Sequence, residues 1–328
     1  SEWLHDESLT MVKNPFWPGV EAMPQATVDG VQLIVADTSV SLAQFEAGQA
    51  DIAQVPTQDI DRILSDPELS EAFYVAPGTC TYYYGFNIEK APFDDVRVRR
   101  AFSQAINRQS LSDNVLRGGQ PPAGFFARPD LAAAPSQALT PDQGIYTDAE
   151  AAQAELQEYL DENGLTVDDL PPITLMHNEN ELHASVAEAI QQMWSETLGV
   201  EINITTQEWG VYLDTLRTDA PQVYRIAWCL DYPDANNFLY DVFHSTSENN
   251  YTNWTNERFD ALLEEARLLT DNEARQALYT EADNILVAED AAIAPIYYYT
   301  TLRMFSDRFE FTPSKIGHQI YSKWVPAQ

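Results

Sequence analysis

An α/β fold is what this sequence predicts, and three observations carry that expectation. Apolar runs of strand length, such as residues 31–36 (VQLIVA), 224–230 (YRIAWCL) and 293–304 (IAPIYYYTTLRM), are separated by segments with helical spacing of apolar residues. Strand and helix follow each other in short order, the pattern of a layered α/β domain. The composition is globular, 45% hydrophobic and 11% aromatic, and 328 residues give room for two or three domains.

Taken in order, residues 31–36 read as strand and 39–47 (SVSLAQFEA) as helix, stopped by Gly48 where a left-handed residue is wanted. Residues 51–55 (DIAQV) return to strand, and 57–64 (TQDIDRIL) to helix with Pro56 or Thr57 at its start. In 81–87 (TYYYGFN) the period of two sends Tyr83 to one face and Tyr82 and Tyr84 to the other. Asp94 or Asp95 then opens a helix whose stripe is Val98, Ala101, Phe102 and Ala105. Residues 118–123 and 129–141 are Pro/Ala-rich loops, and 147–163 is a helix ended by Gly164. A second alternation follows: strand 172–177, helix 181–198, strand 200–207, short helix 208–216 and the largely apolar, hence buried, strand 224–230. Three amphipathic helices (235–243, 256–269, 272–287) precede the last long strand, 293–304. No internal repeat or low-complexity tract interrupts the chain.

Charge narrows the function. Eighteen basic residues against 51 acidic ones give −33, the wrong sign for neutralising phosphates, so no nucleic-acid partner is expected. The same sign disfavours unaided docking on anionic lipid, and no apolar run approaches the ~18–20 residues that span a bilayer. The Asp/Glu excess reads first as a strongly solvated surface. Cys80 and Cys229 stand 149 positions apart with no ligand-like spacing; two buried thiols and a long-range disulfide both remain open, and no metal or cofactor is expected. Nucleophile-elbow, zincin, phosphate-loop and dinucleotide motifs are missing. Residues 161–169 (DENGLTVDD) lack calcium-loop ligand order and read as a helix cap. The sequons at Asn203, Asn250 and Asn253 matter only in a eukaryotic secretory setting.

The chemically suggestive stretch is 225–234 (RIAWCLDYPD). A buried strand carries Arg225 near its start and Trp228, Cys229 and Asp231 where it leaves the sheet, the place where α/β sheets meet ligands. An even separation puts Arg225 and Asp231 on one side, with Trp228 between them, an arrangement suited to an elongated zwitterion. The structural alternative makes Arg225 an ion-pair partner and Asp231 a turn cap ahead of Pro233. His183, beside the apolar stripe of its helix, reads as a core-edge histidine, and the tyrosine triplets 82–84 and 297–299 as packing.

Several segments taken together resemble the extracellular solute-binding proteins of the family 5 type, which serve ATP-driven (ABC-type) peptide importers. They are KNPFW at 13–17, GQAD at 48–51, CTYYYGFN at 80–87, KAPFDDVRVRR at 90–100, AINR at 105–108, QEWGVYLD at 207–214, WCLDYPD at 228–234 and IAPIYYY at 293–299. The resemblance implies a periplasmic-binding-protein-like two-lobe fold (class II, cluster C) that closes over its ligand. Residues 1–79 would belong to the first lobe, 80–299 to the second, and 300–328 would return to the first. It further implies that the chain is the C-terminal larger part of a longer protein whose first lobe starts upstream of Ser1.

Carried over residue by residue, the resemblance pairs Cys80 with Cys229 in a disulfide and sets Asp231 against a ligand's α-ammonium group. It puts Arg225 and His183 near the peptide's C-terminal carboxylate and makes Trp228, Tyr83 and Tyr299 aromatic walls. Where family members carry a lysine, this chain has Leu116 followed by Arg117, a departure that bears on peptide length. The function so implied is a non-enzymatic, monomeric, extracytoplasmic subunit, periplasmic or a surface lipoprotein. It would bind oligopeptides and hand them to importer permease subunits. The alternatives are another solute (an oligosaccharide, a nickel chelate or an opine-like molecule), a secreted acidic hydrolase, or a peptide-sensing receptor.

Overall fold

Residues 1–136, 142–311 and 320–327 are described in the computed structural model, so the end of the expected loop at 129–141 lies outside the described residues. The chain divides into two compact units, residues 1–78 with 300–328, and residues 79–299.

The first unit opens with an antiparallel meander, β1 (Glu2–Leu4), β2 (Ser8–Val12) and β3 (Gly30–Ile34), whose side chains are mostly exposed. The helix expected at 39–47 is α1 (Thr38–Glu46), with Gly48 at φ 70 just beyond it. Strand β4 (Ile52–Gln54), a 3-10 turn at Thr57–Asp59, α2 (Ile60–Ser65) and α3 (Pro67–Ala72) follow. Leu42, Ala53, Val55, Ile60, Ile63 and Met304 form this unit's small core.

Strand β5 (Phe73–Phe86) leads into the second unit, where α4 (Val96–Gln104) and α5 (Arg108–Ser110) follow, the latter running into a π-helical turn at Leu111–Leu116. Then come α6 (Ala149–Asn163), β6 (Ile173–Asn178), α7 (Glu181–Leu198), β7 (Ile202–Gln207), α8 (Trp209–Asp219) and β8 (Val223–Cys229). Helices α9 (Ala235–Phe243), α10 (Glu257–Leu268) and α11 (Asn272–Asn284) precede β9 (Ile293–Phe305), which returns to the first unit, where β10 (Phe309–Glu310) pairs with β11 (Val325–Pro326). In the second unit the sheet order is β9-β5-β8-β6-β7. β8 runs antiparallel to β5 and parallel to β6, and β6 parallel to β7. In the first unit β4 pairs with the far end of β9.

Local sequence explains the helix ends. Asp148, Asn180, Asp234, Asn256 and Asp271 each accept a backbone N–H in the first turn of α6, α7, α9, α10 and α11. Gly164 and Gly199 supply the left-handed residue after α6 and α7. The 161–169 stretch is the cap the sequence suggested: Asp169 accepts from the Thr166 backbone and hydroxyl at 2.9 and 2.7 Å.

Fourteen of the 18 basic residues are arginines, and that preference has a structural use. Arg99 donates to the Asp290 carbonyl, Arg100 to Ala288, and fully buried Arg108 to Pro295 and Ser103. A planar fork with five donors can serve several carbonyls at once, which an ammonium cannot do with the same geometry. The VRVRR and AINR segments thus bind the approach to β9 onto α4. Burial alone pushes Arg108 down to about 10, so it stays charged at neutral pH.

Asp283 on α11 is fully buried and accepts the backbone N–H groups of Phe126 and Ala127 at 2.9 and 2.8 Å. Desolvation outweighs those two bonds and pushes its carboxyl up to about 7. A carboxyl raised above its unfolded value stabilises fully below the unfolded pKa and loses that contribution as pH climbs through the folded one. Urea unfolding across pH 4–7 should therefore show a component that falls with rising pH, on the order of a few kcal/mol. Asp283→Asn should remove that component, at a constant cost of about 1–3 kcal/mol for the lost acceptor. An identical pH slope in the variant would show that Asp283 does not titrate in this range.

Candidate functional site

The register of β5 against β8 runs from Cys80 opposite Cys229 to Phe86 opposite Val223. Cys80 and Cys229 are joined in a disulfide with an S–S distance of 2.03 Å. Residues paired across the ladder share a face, so Arg225 lies with Tyr84 and Tyr82, while Tyr83, Ile226 and Trp228 face the other way.

On the Arg225 face the guanidinium is 6% exposed. Its Nη1 donates to Asn178 Oδ1 at 3.0 Å, its Nη2 donates to the Tyr299 hydroxyl at 2.7 Å, and its carbon sits 4.6 Å from the centre of the Tyr82 ring. Nε is buried and meets no acceptor. Among the described residues no carboxylate pairs with this cation, so the structural ion pair weighed from the sequence is not what holds it. A buried charge without a counter-ion is costly; neutral acceptors and an aromatic face offset only part of that. Tyr82 stacks on Tyr297 at 4.6 Å, and Tyr297 lies 5.1 Å from Tyr299, so β5 and β9 together wall the cation.

His183 enters from the first turn of α7, where Asn180 caps the helix by accepting from the His183 backbone. Its ring is 8% exposed, lies 5.5 Å from Tyr82, and leaves Nδ1 buried without a partner. Burial first, then the charge of Arg225 and the neighbouring His177, push the imidazole down to about 3. It is therefore neutral at physiological pH and adds a polar edge without a second charge.

On the other side of the sheet, Trp228 donates from Nε1 to Asn237 Oδ1 at 3.3 Å; beyond the end of β8, the Asp231 N–H donates to the same oxygen at 2.9 Å. Asn237 Nδ2 in turn donates to Asp231 Oδ2 at 3.3 Å. Asp231 is exposed, and among the described residues no cation pairs with it. The turn is capped by Asp234, bound through both oxygens to Arg275 at 2.8 and 2.7 Å, and not by Asp231.

The structure thus brings Arg225, His183 and Tyr299 together, and holds Trp228 with Asp231 as a second group. Three expectations need correction. Trp228 does not stand between the two charges on one face, because its separation of three from Arg225 reverses its direction. Tyr83 faces away from Arg225, is 2% exposed and is closed in by Phe126 and Phe243 at 5.0 and 5.9 Å, so it packs in the core while Tyr82 holds the place beside Arg225. Leu116, at the position where the resemblance expects a cation, is fully buried in the core, while Arg117 is exposed at the end of the π-helical turn with φ 57. Tyr82 and Tyr297 lie in the tyrosine triplets that the sequence marks as packing; Asn178 and Asn237 carry no signal there and emerge only from the tertiary pairing. Among the described residues no group of three or more potential metal ligands is found.

The family model for bacterial extracellular solute-binding proteins, family 5, matches residues 1–250. The oligopeptide-binding protein OppA of Bacillus subtilis is 32% identical over 306 residues, 91% of this chain and 54% of that protein. A periplasmic protein of Escherichia coli, "Probable deoxycholate-binding periplasmic protein YgiS", is 31% identical over 304 residues, 92% of this chain and 55% of that one. The crystal structure of Haemophilus influenzae OppA in complex with RPPGFSPFR superimposes with a TM-score of 0.80 at 25% identity, covering 100% of this chain and 64% of that one. The chain spans about half the length of these curated relatives.

The depressed imidazole gives a prediction with a definite sign. A histidine held neutral in the fold stabilises above its unfolded pKa and loses that contribution as pH falls toward the folded value. Compared with His183→Gln, the wild-type chain should lose about 3 kcal/mol of unfolding free energy between pH 7 and pH 4. Urea melts at the two pH values measure this; equal losses in both proteins would show that the imidazole is not buried as described.

Proposed function

The chain belongs to the bacterial extracellular solute-binding proteins of family 5, and on that premise we propose that it forms the larger part of an extracytoplasmic peptide-binding subunit. This subunit delivers oligopeptides to the permease of an ABC importer. The observation that carries the reading is the pair of uncompensated charges: a buried guanidinium with no carboxylate, and an exposed carboxylate with no cation. A peptide carries the complement of both, an ammonium at one end and a carboxylate at the other.

In this reading Asp231 makes a charge-assisted bond to the ligand's α-ammonium. Arg225, with neutral His183 beside it, faces the C-terminal carboxylate. Trp228 and Tyr299, both half-buried, supply flat apolar surface that accepts many side chains. Because each charge must be desolvated before it pairs, these bonds fix the direction of the peptide more than they add net affinity. Main-chain hydrogen bonds to the peptide then give affinity without sequence choice. A disulfide-bonded fold fits an oxidising compartment outside the cytoplasm.

A steroid acid such as deoxycholate offers a carboxylate but no ammonium, so Asp231 separates the two ligand classes. In the full-length protein, Asp231→Asn should weaken binding of trialanine about 10- to 100-fold by calorimetry, with the thermal unfolding profile unchanged. Undiminished trialanine affinity in the variant, or wild-type binding of deoxycholate in preference to trialanine, would remove the peptide reading. A hydrolase would cleave mixed peptides on incubation; mass spectrometry should find them intact.

A further inference from the structure

Asn237 is fully buried, near the start of α9, and uses every hydrogen-bonding position of its amide. Its oxygen accepts from the Asp231 backbone at 2.9 Å and the Trp228 indole at 3.3 Å. Its nitrogen donates to Asp231 Oδ2 at 3.3 Å and Asp241 Oδ2 at 2.9 Å. Two pure donors meet the oxygen and two pure acceptors meet the nitrogen, so only one orientation of the amide satisfies all four. Tyr232 adds a bond from its hydroxyl to Asp241 at 2.8 Å, which fixes the far side of the network.

We infer that Asn237 is a positioning residue for ligand recognition, holding the Asp231 carboxylate and the Trp228 ring in one fixed relation while never touching the ligand. The inference rests on the assignment of Asp231 to an ammonium group made above. Asp231 lies beyond the end of β8, outside the ladder that would otherwise orient it. Without the amide, the carboxylate could rotate freely into solvent, and each binding event would have to order it again. The amide also separates two carboxylates, Asp231 and Asp241, and partly screens their repulsion with its N–H groups. One Asp231 oxygen thus remains directed by a neutral donor rather than neutralised by a cation, which keeps its charge for an incoming ammonium. Trp228, anchored to the same oxygen, is set at a constant distance from that charge. A residue that acts in this way bears on the choice between free and blocked amino termini, not on affinity in general.

The test compares trialanine with N-acetyl-trialanine by calorimetry on the full-length protein. Asn237→Ala should lower affinity for trialanine about tenfold or more and leave the acetylated peptide unchanged. In the Asp231→Asn background the same substitution should add little, because its effect runs through that carboxylate. Equal losses for both peptides would make Asn237 a merely structural residue, and unchanged trialanine affinity would overturn the inference outright. If Asp231→Asn itself leaves trialanine binding intact, the underlying assignment has failed instead, and the two failures are told apart. Should the alanine variant not fold, the wild-type protein with 15N-labelled asparagine gives the second readout. The Asn237 side-chain amide resonances should shift on titration with trialanine and not with the acetylated peptide; equal shifts with both, or none, would overturn the inference.

Discussion

The pairing of β5 with β8 is the constraint on which the rest of the site depends. A strand's side chains alternate, so a slip of one residue would carry Arg225 to the face of Phe126 and α9, and Trp228 to the face of α7. Two features pin the register from opposite ends. The disulfide joins Cys80 to Cys229 directly across the ladder. At the other end Gly85 leaves room for the buried Tyr224 ring, whose atoms come within 2.2 Å of where a β-carbon would stand, so any larger residue there would displace that ring. With the register held, the tyrosines of β9 and the first turn of α7 meet around one guanidinium.

Among the described residues no carboxylate meets that guanidinium, whereas several other arginines are paired. Arg97, Arg128, Arg258 and Arg275 all find carboxylates. With 51 acidic residues in the chain, a partner for Arg225 would have been easy to supply. Arg108 is likewise buried without a carboxylate, but carbonyls take its donors, whereas Arg225 leaves Nε unmet; a buried charge so incompletely satisfied sacrifices stability, which is understandable where another molecule brings the counter-charge. The net charge of −33 strengthens the point. Surface charges are screened over about 8–10 Å at ordinary ionic strength, so the acidic exterior cannot neutralise a buried cation at its own depth.

Much of the framework was legible in the sequence because local rules fix it. The helices at 181–198 and 235–243 were read with the bounds the structure has, since Asn180 and Asp234 cap their starts and Gly199 ends the first. Strand 224–230 was read within one residue of β8, because a buried strand is a continuous apolar run. The opposite facing of Tyr83 and Tyr82 followed from period alone. What could not be read was which faces meet. Trp228 fails to stand beside Arg225 because their separation within β8 is odd, and the side taken by Asp231 is not set by the strand period because the chain has left β8 at Cys229. Asn178 and Asn237 are polar residues at element ends, indistinguishable in sequence from ordinary caps until β6 and α9 are brought against β8. The π-helical turns at Leu111–Leu116 and Ile285–Glu289 read as ordinary helix or not at all, for their single wide turns leave no trace in hydrophobic spacing.

The segments that carry the family resemblance divide by what they do. Of the arginines in KAPFDDVRVRR and AINR, Arg99, Arg100 and Arg108 donate to backbone carbonyls of residues 288–295 and Arg97 pairs with Asp95 and Glu162, a framework task that depends on no ligand. The tyrosines of 80–87 and 293–299 are shared between core and site, Tyr83 and Tyr298 packing on one side of the sheet and Tyr82 and Tyr299 facing Arg225 on the other. Arg225 leaves Nε, and His183 leaves Nδ1, without a partner, as do the buried hydroxyls of Tyr82, Tyr84 and Tyr297 around them. A framework clamped by arginine forks can therefore be kept while a handful of positions around β8 change the ligand. On the proposed function, specificity would rest on Arg225 and His183 inside regular elements and on Asp231, where the sheet stops and the backbone no longer dictates where a side chain points.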